Sequence, residues 1–466
     1  MKLNMKRIVH LDLKGAPLQL RFLEKVLLLA KSWGATGVLL EWEDTFPYTA
    51  ELLAIGSRSN AGGDELYSEV EVEQILQLAK DIGLEAIQLV QTIGHMEYVL
   101  KHPAYHMLRE SARSPAVLCP SRPESQALVR AMLEQVLEAQ PDANYLHIGA
   151  DEVWHTAECN ECQQRALRSE HKAASLYLEH IRDLVLFLKQ KRPELTVLMW
   201  DDMLRSISLD TLRAYNLGDL VQPVIWHYNP AESFNIDPNL WHNYRQLFPC
   251  AWAGSAFKGA NGSCQILSPV GHYVSNHEAW MREFKIHEHV NFVGIILTGW
   301  SRFDHYAALC ELLPVSLPSL ASCLRILTKT DETPKELVVT EVLPSEQWPG
   351  EELARCVHSF VILRERSLSF LHSDTVTTWL NPWQIQHNYT NPVHVENIVF
   401  NVQSLLSELT ILQRDMSTHL HAITGERSRG EWIQTYVTPI VKKLTDLYET
   451  GVNRARCNAS VKPLIV

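Results

Sequence analysis

The run Tyr145-Leu-His-Ile-Gly-Ala-Asp151-Glu152-Val-Trp154 decides the fold. A short apolar stretch of strand length stops at a Gly-Ala pair, and two adjacent carboxylates follow at once. Small residues let the chain turn sharply out of a sheet. Functional groups placed just beyond a strand end are the habit of parallel α/β folds. Working outward, strand-length runs recur at 7–12, 37–42, 85–90, 145–148, 196–200, 221–226, 249–252 and 292–298. Helical stretches fall between them. Residues 18–33 lead to Gly34, 70–82 follow the candidate cap Ser68 and lead to Gly83, and 124–139 and 172–191 continue the alternation. Eight strand–helix alternations with no G-x-G-x-x-G run match a closed (β/α)8 barrel rather than an open dinucleotide-binding sheet.

The chain has 466 residues, more than the roughly 250 a barrel uses. The reading is therefore a TIM barrel over residues 1–330 with an all-helical C-terminal domain over 331–466. There 353–371, 395–423 and 432–448 have helical periodicity, and 381–391 reads as a turn-rich insert. Hydrophobic residues make up 46% and charged residues 21%, as in a folded globular protein. A net charge of −12 disfavours nucleic acid as a partner. No run of about 18 apolar residues suggests a membrane span. The first fifteen residues read as a strand rather than a signal peptide, which leads to an expectation of cytoplasmic or nuclear residence. The nine cysteines are then expected to be reduced, and the sequons at Asn261, Asn388 and Asn458 idle. A homodimer is compatible with the chain, but nothing in it requires one.

The later strand ends share a composition. Trp200-Asp201-Asp202, Trp226-His227-Tyr228, Trp252-Ala-Gly-Ser and Trp300-Ser-Arg302-Phe-Asp304 each set an indole beside polar groups. A sugar ring has an apolar C–H face and a polar hydroxyl edge, so tryptophan with carboxylate or hydroxyl partners suits a glycan pocket; each indole taken alone could equally cap the core. Adjacent carboxylates are unusual for a retaining glycosidase, whose acid and nucleophile normally come from different strands about 5–5.5 Å apart. Neighbours on one strand point apart. They suit a reaction in which the substrate's own 2-acetamido oxygen attacks the anomeric carbon. One carboxylate then orients the amide and the other protonates the leaving oxygen.

His-Ile-Gly-Ala-Asp-Glu-Val-Trp at 147–154 is similar to the H-x-G-[small]-D-E signature of glycoside hydrolase family 20. The stretches HLDLKG (10–15), EWEDTFPY (41–48), QTIGHMEYVLKH (91–102), WDDMLR (200–205), SAFKGA (255–260) and ILTGWSRFDHY (296–306) resemble the short subgroup of that family, which lacks an extra N-terminal domain. The resemblance implies a retaining, exo-acting β-N-acetylhexosaminidase without a cofactor or catalytic metal, acting on glycans with terminal β-linked N-acetylgalactosamine or N-acetylglucosamine. It implies Asp151 as orienter of the acetamide and Glu152 as general acid/base. Trp200, Trp226 and Trp300 would form an aromatic box, with Tyr228 on the acetamide carbonyl. His95 and His147 would support the acids, and Asp12, Glu41 and Glu43 would reach the outer hydroxyls. Trp252 and Asp304 join the expected substrate-binding set from their strand-end positions. The chain departs from the family pattern in carrying Asp12 and Lys14 where many members have a strand-one arginine, His227 where aspartate is expected, and Arg302 where many have glutamate.

Other features are set aside. Cys159-Asn-Glu-Cys162 is a lone C-x-x-C with no second pair nearby, so ordinary thiols are expected. His10 reads as a core residue, and Lys258 as a solvated loop lysine. Two rival readings stay open: a catalytically inactive sugar-binding barrel and a metal-dependent barrel hydrolase.

Overall fold

The computed structural model describes residues 5–56, 66–328 and 348–456. The expected domain boundary at 330/331 and Asn458 lie outside them. By internal contacts the chain divides into two compact units, Met1–Pro349 and Gly350–Val466.

In the first unit the strands in chain order are β1 (Lys6–Asp12), β2 (Gly37–Glu41), β3 (Glu85–Leu89), β4 (Arg109–Ser111), β5 (Ser114–Leu118), β6 (Tyr145–His147), β7 (Thr196–Trp200), β8 (Val221–Trp226), β9 (Ala251–Lys258) and β10 (Phe292–Gly299). Eight of them close a parallel barrel in the order β1-β10-β9-β8-β7-β6-β3-β2, and β4 and β5 form a separate antiparallel ribbon. Seven of the eight barrel strands coincide with the strand-length runs of the sequence, and β9 overlaps the run 249–252 only at its start. Helices lie between them because their apolar positions recur with helical spacing and their ends are marked. The helix Glu69–Asp81, for example, starts in a full capping box in which Ser68 and Glu71 satisfy each other's backbone N–H groups. It ends before Gly83, which takes φ 72°. The barrel interior is filled by Ile8, Leu39, Ile87, Leu198, Val224, Trp252 and Ile296.

The seventh barrel strand corrects the sequence reading. It does not end at Trp252; it begins there and runs on to Lys258, every residue buried. The sequence reading ends this strand at Trp252, before the small residues Ala253, Gly254 and Ser255. Gly254 is small because a neighbour presses on it: a Cβ there would come within 2.8 Å of the Trp226 Cβ. Trp252 thus sits at the opposite end of the barrel from the strand ends. Its indole N–H donates to Gln222 Oε1 at 2.7 Å, and its ring meets Tyr145 edge-on.

The second unit is helical. Its long helix Pro392–His421 is capped by Asn391 and buries Val395, Ile398, Val402, Leu405 and Leu409 along one stripe. It packs against Glu351–Leu371 and Thr438–Arg456. Gly451 permits the close approach, since a Cβ there would lie 2.6 Å from Val399 Cγ2. The insert at 381–391 is more ordered than expected: Asn381 and Gln384 form a capping box that starts the short helix Pro382–His387.

Candidate active site

Beyond β6 the backbone kinks hard. Gly149, Ala150 and Glu152 take φ values of 63°, 69° and 49°. For the two non-glycine residues this left-handed geometry costs on the order of 1 kcal/mol or more each, so surrounding contacts must hold it. Gln91 Oε1 accepts from Ala150 N at 3.2 Å, Tyr177 donates to Ala150 O at 2.8 Å, and Asp202 Oδ2 accepts from Glu152 N at 2.9 Å. Only glycine fits at 149, where a Cβ would fall 1.9 Å from Gln91 Oε1. The kink cancels the divergence that an extended strand would give adjacent side chains. Both carboxylates reach one imidazole: His95 Nε2 lies 3.5 Å from Asp151 Oδ2 and 3.2 Å from Glu152 Oε2.

The charges of this corner are interlocked. Burial opposes protonation of His95, but the Asp151 charge and hydrogen bonds to Asp151 and Glu152 outweigh it and raise its pKa well above the usual imidazole value. Gln91 Nε2 donates to Asp151 Oδ1 at 3.1 Å. Burial, reinforced by the Asp151 charge, pushes the Asp202 carboxyl up to about 7, although Glu152 N donates to it. Asp202 Oδ1 also accepts from the Trp226 indole at 3.3 Å. One side chain thereby ties the backbone of Glu152 to an aromatic wall.

The carboxylates open on a cavity of about 420 Å³ at the C-terminal end of the barrel. Trp200, Trp226, Tyr228 and Trp300 wall it. Trp226 stacks on Tyr228 with centroids 5.1 Å apart and an interplanar angle of 22°; Trp200 and Trp300 are tilted at 5.9 Å. Burial raises the Tyr228 phenol above its ordinary range, keeping it a neutral hydrogen-bond donor. Exposed Phe303 reaches the same cavity.

The opposite wall is ionic. Lys14, 3% exposed, has its Nζ 3.0 Å from Asp12 Oδ2, 3.6 Å from Glu41 Oε1 and 5.0 Å from the Trp300 ring centroid. Burial disfavours each of these charges, yet mutual attraction prevails: Lys14 is raised, Asp12 and Glu41 lowered. Lys14 and Glu41 line the cavity, and Glu41 Oε1 is buried without a hydrogen-bond partner. Glu41 Oε2 is held by His10 Nε2 at 2.9 Å.

Of the residues expected from sequence, Asp151, Glu152, His95, Tyr228, Trp200, Trp226, Trp300 and Glu41 line this cavity. The other five do not. Asp12 stands behind Lys14 and accepts from Ser301 N at 2.7 Å. Glu43 is buried against His305 Nδ1 at 2.8 Å. His147 accepts from Gly149 N at 3.0 Å and packs on Trp200, and burial lowers it to about 3, so it is a neutral support. Trp252 belongs to the core, for the reason given above. Asp304 is spent on its own loop, accepting from Tyr306 N and Ala307 N. Eight lining residues were missing from the expected set: Lys14, Gln91, Gly259, Ala260, Gly262, Ser263, Arg302 and Phe303. Gln91 and Lys14 had a signal, since each stands in a quoted strand-end stretch, but neither is a residue type that sequence alone marks for this chemistry. Arg302 donates to the carbonyls of Lys14, Gly15 and Ala307, clamping the β1 loop. His227 is not among the residues lining the cavity; its Nδ1 lies 3.3 Å from Asn229 N and its Nε2 3.4 Å from Asn235 N, and whichever nitrogen is unprotonated accepts. Lys258 is not a solvated loop residue but 2% exposed, donating to Trp300 O.

Among the described residues, three groups bring at least three metal-ligating donors within 4.8 Å of one another: His95–Asp151–Glu152, Glu43–Asp44–His305, and Glu110–Cys119–Cys159–Cys162. The first already holds an imidazolium between its two carboxylates.

Comparison with known proteins bears on this geometry. Residues 41–232 match the family model described as glycosyl hydrolase family 20, catalytic domain. The chain is 38% identical over 461 residues to Hexosaminidase D of Homo sapiens, covering 95% of this chain and 93% of that protein. It is 43% identical over 326 residues to Hexosaminidase D of Bos taurus, covering 70% and 92%. In structure it resembles a β-N-acetylhexosaminidase from Bacteroides fragilis with a TM-score of 0.52 at 16% identity, over 71% of this chain and 67% of that one, a likeness of fold. At 95% coverage the similarity to the human protein takes in most of the helical unit.

Proposed function

The chain belongs to glycosyl hydrolase family 20, and from that premise we propose that it is an exo-acting, retaining β-N-acetylhexosaminidase that uses the substrate's own acetamide as nucleophile. The observation that carries the reading is the kinked Asp151–Glu152 pair opening on an aromatic-walled cavity. The other carboxylate that lines the cavity among the described residues, Glu41 on the ionic wall, is held by His10 and paired with Lys14; the two acids are neighbours, as the substrate-assisted exception requires.

The two acids differ in depth. The Asp151 side chain is 10% exposed and that of Glu152 29%. The deeper carboxylate, anchored by Gln91 and His95, takes the acetamide N–H and stabilises the positive charge that builds as the carbonyl oxygen closes on the anomeric carbon. The shallower one protonates the departing glycosidic oxygen, then deprotonates the water that opens the oxazolinium ion. Two inversions leave the anomeric configuration unchanged. Tyr228 donates to the acetamide carbonyl, and Trp200, Trp226 and Trp300 enclose the methyl group and the ring's apolar face. Glu41, with its unpartnered oxygen, and Lys14 take the outer hydroxyls, filling the place of the strand-one arginine. The ligand is a glycan or glycoconjugate ending in a β-linked N-acetylhexosamine.

The test is hydrolysis of four aryl β-glycosides: the N-acetylgalactosaminide, the N-acetylglucosaminide, and the plain galactoside and glucoside. Turnover restricted to the acetamido sugars and blocked by a thiazoline analogue of the oxazoline is expected. Turnover of the plain glycosides requires a protein nucleophile and overturns the reading, and binding without turnover of any would make the chain an inactive sugar-binding barrel.

A further inference from the structure

We propose that Cys119, Cys159, Cys162 and Glu110 form a zinc site that pins the segment following the catalytic acids to the β4–β5 ribbon. In sequence, Cys159-x-x-Cys162 has no second pair. The fold supplies the missing donors from upstream: Glu110 on β4, and Cys119 just beyond β5. All four donor atoms lie within 4.8 Å of one another.

The spacing fits a metal better than a disulfide. Cys119 Sγ is 3.5 Å from Cys159 Sγ and 3.6 Å from Cys162 Sγ. A tetrahedral ion with zinc–sulfur bonds of about 2.3 Å sets its sulfurs about 3.8 Å apart, whereas a disulfide draws two sulfurs to about 2.05 Å and leaves the third outside. Here one thiol is shared equally between two others, the pattern of a common centre. The carboxylate is a separate observation. Glu110 is 2% exposed; its Oε1 accepts from Glu158 N at 2.7 Å and Cys159 N at 3.1 Å, while its Oε2 is buried with no hydrogen-bond partner. A buried carboxylate oxygen left unmatched beside three converging thiols is the fourth position of an S₃O donor set. Hydrogen-bond donors stand beside the thiols as well. Cys159 caps the helix Asn160–Arg168, its Sγ accepting from Cys162 N at 3.4 Å. Ser121 Oγ lies 2.9 Å from Cys162 Sγ, and Arg165 donates to Ser121 Oγ and Pro120 O. Binding takes up Zn²⁺ and releases the thiol protons to solvent, with no change of redox state. With four protein ligands the site is closed and structural, not catalytic.

The full chain, purified under reducing conditions without chelator, is assayed for metal by mass spectrometry. About one zinc per chain is expected. Cys119→Ser and Cys162→Ser should each lose most of it, while Cys250→Ser, outside the cluster, keeps it. Because a ligand variant can fail to fold, the wild-type chain is also stripped and titrated with Co²⁺. A thiolate-to-cobalt charge-transfer band saturating near one equivalent is expected. Absence of both retained zinc and that band overturns the proposal. So does zinc held undiminished by folded Cys119→Ser, or a thiol titration of the denatured chain that finds two of the three cysteines already joined as a disulfide.

Discussion

The two polar walls of the cavity use ionisable groups in opposite ways. On the β1–β2 side, one lysine, Lys14, sits between Asp12 and Glu41, all three nearly inaccessible to solvent, while Ser301 N and His10 take further carboxylate oxygens. On the β6–β7 side, Asp151 and Glu152 share a single imidazolium, leaving an excess of negative charge beside a strained backbone. The first wall is a closed lattice whose strength depends on each member being present. The second has the same one-to-two ratio of charges but opens on the cavity, with Asp151 and Glu152 side chains 10% and 29% exposed, which leaves carboxylate oxygens able to act on a substrate. The contrast weights stability and chemistry differently within a few ångströms: damage to the first wall should appear in unfolding as well as in substrate binding, and damage to the second chiefly in turnover.

The largest effect is expected at Glu152. Glu152→Gln should cut turnover of a substrate with a poor leaving group by roughly 10²–10⁴. A substrate with an activated phenol leaving group should suffer much less, because protonation matters little there. Equal losses on both, in steady-state assays side by side, would remove Glu152 as the acid. Asp151→Asn should lower both substrates by a similar factor, on the order of 10²–10³, since it acts on the acetamide before either leaving group departs. Unchanged rates would take Asp151 out of the mechanism. Lys14→Met belongs to the other wall. It strands two buried carboxylates and should cost about 3–5 kcal/mol in urea unfolding. A change below about 1 kcal/mol would mean that the lattice relaxes around the loss.

The barrel was legible because periodicity and strand-end chemistry agree along eight repeats, and such agreement is hard to produce by accident. Legibility failed where small residues serve packing. Ala253, Gly254 and Ser255 carry little hydrophobic signal, yet they lie within a buried strand in which Gly254 makes room for Trp226, and that mistake moved Trp252 from core to pocket. Within the site, Asp151, Glu152 and the three indoles could be named because their residue types suit sugar chemistry. Gln91 could not, since its role is to hold Ala150 and Asp151 in a kink that no local propensity encodes. Glu43, Asp304 and His147 have the right chemistry in the right stretches, but none of them lines the cavity: Glu43 meets His305, Asp304 its own loop backbone and His147 Gly149. Sequence reveals which groups lie near a site, not which of them reach it. The cysteine cluster makes the same point in reverse, because its third thiol and its carboxylate come from a ribbon forty residues upstream.

Asp202 joins the chemistry of the second wall to its stability, and gives the finest test of the contrast. Its Oδ2 holds Glu152 N and its Oδ1 the Trp226 indole, yet its carboxyl is raised to about 7 from an ordinary value of 3.8. The folded state therefore binds this proton more tightly than the unfolded chain does. The stability it contributes is complete below about pH 3.8 and is lost as pH rises through about 7. Asp202→Asn fixes the group in a neutral form, so the variant's denaturation midpoint should fall less between pH 4 and pH 7 than the wild type's. Because the amide keeps only one acceptor oxygen, either Glu152 N or the Trp226 indole loses its partner, and a several-fold loss of turnover should accompany the flatter profile. Parallel pH profiles for the two proteins would mean that Asp202 is ionised throughout this range and that the catalytic wall carries one more full charge than its burial suggests.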